Sequence, residues 1–496
     1  MSDARTLPPD FETRVEAELG AATAGRLLNA LHASSPATPA VRLNRGKHAE
    51  AGKSLCEKAI AWSGGEGRYV KGQRPVFAFD PAWHAGLYYV QDASSMALSA
   101  AVGELSEALG SAPLRYLDAC AAPGGKTIAA IEALPEGSVV VANEFDRRRA
   151  GILVENIEKW GEAAAAVSCG DTAAFRKLPV LFDIVAVDAP CSGEGMMRKE
   201  PEAVAQWSPA LVSECAALQR EILANVWETL KPGGYLIYST CTFGREENED
   251  NVAWAEKELG AVRIPLRSME TAEGPLSLET ATYRFMPGFV DGEGLFMAVL
   301  QKPGTLTPGT ATDKQNKKAS RKGARHEGGQ KPDPQAAALC QRALGEGYSL
   351  QSRPDGSFTA MPRQLAEIAP LLDRHLHLRL CGTALGTMKG KDITPAHALA
   401  LCSKLRSEAF PRVDVDEAEA LAYLRGESLT LPESAPRGIV LLTSAGGAPI
   451  GFVKNLGNRA NNLFPQALRL KTMPGPDHQP ADIARKSSQT NLTPDK

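Results

Sequence analysis

Between residues 114 and 300, short apolar runs alternate with longer stretches whose hydrophobic positions recur at helical spacing. Leu114–Asp118, Ser138–Ala142, Val167–Gly170, Phe182–Val187, Gly234–Ser239 and Gly294–Leu300 read as buried strands, because they are apolar without strict alternation. Between them, Lys126–Leu134, Asp146–Trp160 and Pro209–Leu230 read as helices, the last stopped by Lys231-Pro232-Gly233-Gly234. Asp146 stands where a helix N-terminus favours negative charge. Strands alternating with helices predict right-handed βαβ units and a parallel sheet, an α/β Rossmann-like fold.

The flanks differ. Phe11–Leu19 and Ala24–Leu31 carry amphipathic helical spacing, followed by the strand-like Ala40–Asn44 and a glycine- and aromatic-rich stretch to Asp92. This predicts an α+β N-terminal region over 1–104, ahead of the parallel-sheet domain at 105–302. Residues 303–334 are dominated by Pro, Gly, Thr and Lys, with seven Lys or Arg against one acid between Lys314 and Lys331. Such a stretch has too little apolar area to order itself, so it reads as a basic flexible linker. It serves either as a solubilising hinge or as a tether for phosphates. Globular character returns over 335–470, with strands expected at Gly438–Leu442 and Pro449–Lys454, and residues 471–496 read as a disordered tail.

Composition narrows the class. A chain of 496 residues is too long for one ordinary core, and 43% hydrophobic with 23% charged residues is the balance of a soluble protein. No apolar core for a signal peptide opens the chain, and no run of 18 apolar residues occurs. Nine cysteines, odd in number and without C-x-x-C pairs, argue against a disulfide framework and against a zinc site. A monomer in the reducing cytoplasm, without metal, is expected. A net charge of −3 gives no global attraction for polyanions, so a nucleic-acid partner needs local basic patches.

Two strands end on chemistry. Phe182–Val187 runs into Asp188-Ala189-Pro190-Cys191-Ser192-Gly193, and Leu236–Ser239 into Thr240-Cys241-Thr242. Ligands of open α/β sheets bind outside the carboxyl ends of strands, so both thiols are expected at the mouth of a site. A lone cysteine is usually a small buried hydrophobe; two at equivalent strand ends are harder to explain as packing. Upstream, Asp118-Ala119-Cys120-Ala121-Ala122-Pro123-Gly124-Gly125-Lys126-Thr127 is a strand-to-helix turn whose small residues admit a ligand close to the backbone. A phosphate-binding loop of the G-x-x-x-x-G-K-[ST] type needs glycine at 120, where this chain has cysteine. An adenosyl cofactor instead wants an acid at the next strand end for its ribose, and Glu144 stands there, with Asp171 ending the third strand. Residues 120–126, Glu144, Asp171 and Asp188 are therefore the expected cofactor contacts.

The turn at 118–127, the Asp188-Ala189-Pro190-Cys191 run, and Ser239-Thr240-Cys241-Thr242 with Glu246-Glu247-Asn248-Glu249 together resemble the RNA cytosine-C5 methyltransferases of the Nol/Nop/Sun type. The resemblance covers about residues 1–302, including Arg42, Asn44 and the Tyr89–Met96 stretch. The later part is similar to the C-terminal extension, with a PUA-like RNA-binding module, of the RsmF group of bacterial small-subunit rRNA enzymes. One departure is Gly288, where many relatives carry histidine. The resemblance implies a class I methyltransferase sheet using S-adenosyl-L-methionine. It implies Cys241 as the nucleophile that adds to cytosine carbon 6, Cys191 as the thiol that helps release product, and Asp188 beside the base. It also implies an extruded target base. RNA, as rRNA or the small subunit, is the expected partner, with Arg42, Arg198, Lys454, Arg459 and Arg469 as candidate contacts. A tRNA substrate is the alternative within the class; a P-loop NTPase and a non-catalytic assembly factor are the alternatives outside it.

Overall fold

The apolar runs in the middle of the chain form strands buried on both faces, as a parallel sheet covered by helices requires. The computed structural model describes residues 6–33, 36–48, 56–72, 74–270, 274–305, 333–390, 392–444 and 446–472. Most of the basic linker expected at 303–334 and nearly all of the tail from 471 lie outside these residues. Helices Pro9–Leu19 and Ala21–His32 come first, turning at Gly20. A small antiparallel sheet follows: β1 (Ala40–Leu43), β2 (Cys56–Ala59), β3 (Gly67–Val70) and β4 (Tyr88–Val90), in the order β2-β3-β1-β4.

The central strands β5 (Arg115–Asp118), β6 (Val139–Glu144), β7 (Ala165–Cys169), β8 (Phe182–Asp188) and β9 (Leu230–Thr240) are parallel. Beyond β9 lie the antiparallel β10 (Val262–Arg263), β11 (Thr282–Phe285) and β12 (Leu295–Gln301). Side chains alternate between two cores: Leu117, Val141, Val185 and Leu236 enter one, and Tyr116, Val140, Ile184 and Ile237 the other. The chain places β6 on one side of β5 and β8 on the other. This reversal opens a crevice outside the carboxyl ends of β5 and β8, where the two motif loops emerge.

The long helix ends earlier than its pattern suggests, at Trp227 rather than Leu230. Thr229 accepts the backbone N–H groups of Leu181 and Phe182, which draws the chain into the sheet at Leu230. In the C-terminal part, β13 (Tyr348–Ser352) and β14 (Ser357–Pro362) precede helix Arg363–His375 and β15 (Leu378–Cys381). β15 leaves its neighbours and pairs antiparallel with β7, completing the edge of the central sheet. β16 (Thr383–Lys389) and β17 (Asp392–Pro395) extend the β13–β14 sheet, while β18 (Arg412–Asp414), β19 (Gly438–Ser444), β20 (Ala448–Asn455) and β21 (Ala460–Asn462) form the last one. That last sheet packs on the first: Val41, Leu43, Leu87 and Tyr88 share one cluster with Tyr423, Leu424, Val440 and Ile450. Among the described residues, no helix is long and apolar enough to cross a membrane.

Candidate active site

The turn after β5 is shaped by backbone contacts. Gly124 takes φ +113°, a conformation side chains rarely adopt, and starts the helix Gly125–Ala133. Arg149 donates to the Ala122 carbonyl (2.7 Å), and the Ala122 N–H reaches Glu144 Oε2 (3.3 Å). Glu144, buried at the end of β6, also accepts from the Asp146 N–H through Oε1 (2.9 Å). Asp171 stands exposed after β7 and caps the following turn through Ala173 N–H (2.7 Å). Asp118 Oδ2 accepts from Thr127 (2.6 Å), whereas its buried Oδ1 has no hydrogen-bond partner among the described residues. Burial pushes the Asp118 carboxyl up to about 7, against the Thr127 hydrogen bond. Cys120 lies in this loop, partly buried against the core, with its thiol raised by burial.

The donor set can be tested against S-adenosylmethionine. Carboxylates stand at successive strand ends, and among the described residues Glu144 Oε2 makes only one long hydrogen bond and Asp118 Oδ1 has no partner. That chemistry fits a sugar diol and a cationic centre, and it repels a polyphosphate. A residue not singled out from the sequence adds to the fit. Phe145, directly after Glu144, leaves 74% of its surface exposed beside this cradle. The available signal was an aromatic residue following an acid at a strand end.

The two thiols meet. Cys191 Sγ and Cys241 Sγ are 3.2 Å apart, one from the loop after β8 and the other directly after β9. The hydrogen bond to Cys241, with burial added, holds the Cys191 thiol well above the usual cysteine range. Asp188, at the end of β8, accepts from Ser239 Oγ (2.9 Å) and from Lys126 Nζ (2.9 Å). Burial works against the Lys126 charge, but Asp188 outweighs it and raises the ammonium. Cofactor loop, acid and thiols are thereby joined in one crevice.

Carboxylates hold the thiol loops. Glu247 accepts from Ser192 N–H (2.9 Å), Ser192 Oγ (2.5 Å) and Gln219 (2.9 Å). Glu194 accepts from the N–H groups of Phe243 (2.6 Å) and Gly244 (3.1 Å) and from Trp207 (3.0 Å). Asn248 accepts from Thr240 (2.6 Å) and donates to the Thr242 carbonyl (3.0 Å), and Glu249 forms a buried pair with Arg284. In the sequence, Glu247 and Glu194 both stand within the motif stretches, Glu194 three residues after Cys191, but neither carried a role there.

The candidate RNA contacts divide. Arg42 is fully buried in β1, donating to Gln91, Ser99 and the carbonyls of Ser63 and Met96, so its guanidinium is not offered to a phosphate. Arg198 is buried against Glu293 (2.9 Å) and the Gly292 carbonyl (3.0 Å). Both are internal cross-links: the buried strand Ala40–Leu43 carries Arg42 inside, and the ion pair with Glu293 holds Arg198 there. Lys454 and Arg459 are exposed, and Lys454 lines a groove of about 540 Å3 with Arg342, Gln335 and Ile439. Arg469 lies against Gly426 and is half-buried.

Residues 112–301 match the family described as 16S rRNA methyltransferase RsmB/F. Residues 7–93 match the N-terminal domain of 16S rRNA methyltransferase RsmF, and 410–470 the methyltransferase RsmF PUA domain. The chain is 33% identical over 400 residues to ribosomal RNA small subunit methyltransferase F of Escherichia coli O157:H7, covering 77% of this chain and 78% of that protein. It is 35% identical over 393 residues to the protein of the same name from Citrobacter koseri, with the same coverage of 77% and 78%. The crystal structure of NSun6 from Pyrococcus horikoshii with SFG shares the fold at a TM-score of 0.50 and 19% identity, over 60% of this chain and 99% of that one.

Proposed function

Because this chain belongs to the 16S rRNA methyltransferase RsmB/F family, we propose that it methylates carbon 5 of a cytosine in small-subunit ribosomal RNA, in the cytoplasm, using S-adenosyl-L-methionine. The observation that carries the cytosine chemistry is the pair of thiols 3.2 Å apart at the ends of neighbouring strands, beside Asp188. Carbon 5 of cytosine is a weak nucleophile, and a thiol adding at carbon 6 is what activates it.

The turn 120–126, Glu144, Asp171 and Asp188 would hold the cofactor, with Phe145 as an apolar platform. Bound there, S-adenosylmethionine supplies an electrophilic methyl group. Cys241 forms the bond to carbon 6, moving electron density to carbon 5. Asp188, fixed by Ser239 and Lys126, would lie beside the base edge and compensate the charge that changes at N3 and the amino group. Cys191 begins as a thiol, since its hydrogen bond to Cys241 keeps the proton on it. Once the Cys241 sulfur is bonded to carbon, that interaction is gone, so the Cys191 thiol ionises more readily and gives its proton to solvent, which leaves a thiolate able to act as base. It then takes the proton from carbon 5 as the bond between Cys241 and carbon 6 breaks, which returns Cys241 as thiolate.

The test separates the thiols. Cys191→Ala should accumulate a protein–RNA adduct that survives denaturing electrophoresis, while Cys241→Ala and the double variant show none. Adduct in Cys241→Ala and not in Cys191→Ala would exchange the two roles. Base-resolution mapping of 5-methylcytosine in rRNA and tRNA, with and without the protein, identifies the RNA.

A further inference from the structure

Each thiol segment is gripped by a carboxylate belonging to the other. Glu247, downstream of Cys241, holds the backbone N–H and hydroxyl of Ser192, the residue after Cys191. Glu194, downstream of Cys191, holds the N–H groups of Phe243 and Gly244, two and three residues after Cys241. The two are 0% and 1% exposed, and among the described residues neither makes an ion pair. Keeping an unpaired carboxylate in the interior is costly, and charge-assisted bonds to backbone N–H groups are what offset it here. A direct backbone bond, Gly195 N–H to the Cys241 carbonyl (2.7 Å), lies between the two grips.

We infer that Glu247 and Glu194 are positioning residues with separate duties, Glu247 setting Cys191 for product release and Glu194 setting Cys241 for attack. This rests on the reading of Cys241 as nucleophile and Cys191 as releasing thiol. The asymmetry follows from where each grip acts. Without Glu247 the Cys191 loop loses its two hydrogen bonds at Ser192, and Gln219, which holds the Pro190 carbonyl, loses one more, whereas Cys241 keeps Glu194, the Asn248 bonds to Thr240 and Thr242, and its place after β9. Attack then proceeds and release falters. Without Glu194 the Cys241 segment loosens while Ser192 stays held, so attack itself slows.

The experiment compares Glu247→Ala, Glu194→Ala and Glu247→Gln with the Cys191→Ala and Cys241→Ala controls. Small ribosomal subunits and transcribed 16S rRNA serve as probes, and S-adenosylmethionine affinity reports folding. Misplacement by about 1 Å costs on the order of 100-fold in rate, so each alanine variant should lose roughly 10- to 100-fold in turnover with cofactor affinity unchanged. Only Glu247→Ala should accumulate adduct, matching Cys191→Ala. Glu247→Gln, whose amide oxygen still accepts from Ser192 and Gln219, should clear the adduct and recover most turnover. If an alanine variant loses cofactor binding, Glu247→Asp and Glu194→Asp carry the same opposite expectations. Adduct in the Glu194 variant, or none in the Glu247 variant while Cys191→Ala shows it, overturns the inference. Inverted thiol controls overturn the mechanism beneath it instead, and the two failures are told apart by that control alone.

Discussion

At the end of β5, Asp118 carries a carboxyl that burial raises to about 7, well above its unfolded range near 4. The folded state therefore binds this proton more tightly than the unfolded chain. The stability the proton contributes is full below about pH 4, is lost as pH rises toward 7, and is absent above that. Asp118→Asn removes the buried charge and keeps an oxygen for Thr127. Without cofactor, it should raise the melting temperature more at pH 8 than at pH 5; an equal gain at both would exclude Asp118 as an ionised burden. Individual residues were legible in the sequence where a motif gave them a strand end, as with Asp188 and the two cysteines. Arg42 and Arg198 were not, because a letter in a chain does not say which way a guanidinium points. Lys126 carried no sign that it would meet Asp188, 62 residues on, since only the switch between β5 and β8 brings them together.

Elements were legible in proportion to their apolar content. The strands β5, β6 and β8 were expected from runs without alternation, and their burial on both faces is what such runs require. Loop packing was harder to foresee, because close approach is a property of two segments at once. Gly195 shows this: a Cβ there would sit 2.7 Å from the Cys241 carbonyl oxygen and 2.9 Å from that of Glu293. Gly195→Ala must push the two thiol loops apart while leaving the turn after β5 alone. Turnover should fall on the order of 100-fold, the scale of about 1 Å misplacement, with unchanged S-adenosylmethionine affinity by calorimetry. A variant with normal turnover would mean that the spacing of the loops is not limiting. Gly288 makes the same point from another side. At φ +84°, with a Cβ position 2.7 Å from the Arg26 carbonyl, it lets helix Ala21–His32 approach where a histidine would hold it off.

For the molecule as a whole, the chain reads as beads on a string, whereas the fold interleaves them. The C-terminal part donates β15 to the edge of the central sheet, and helix Arg363–His375 with its following residue buries Leu365, Ile368, Leu372 and Leu376 in the same core as β5 and β8. Its last sheet shares a cluster with the N-terminal one. No local pattern announces such pairings, since β15 is only four residues long and its partner lies about 210 residues earlier. This changes what a truncation can reveal. Burying a large aliphatic side chain contributes about 1.5–3 kcal/mol, so those four alone account for roughly 6–12 kcal/mol, comparable to the roughly 5–15 kcal/mol that keeps a domain folded. A chain ending near residue 303 would also leave β7 as an open edge inviting aggregation. Loss of RNA binding in such a truncation would therefore report unfolding as readily as a missing RNA contact. The cleaner experiment co-expresses residues 1–305 and 333–496 as two chains. They should copurify in equal amounts, bind S-adenosylmethionine like the intact chain and melt in one transition, while 1–305 expressed alone is insoluble. A soluble 1–305 fragment with full cofactor affinity would show that the C-terminal part is dispensable to the core, and RNA contacts at Lys454 and Arg459 could then be sought by simple deletion.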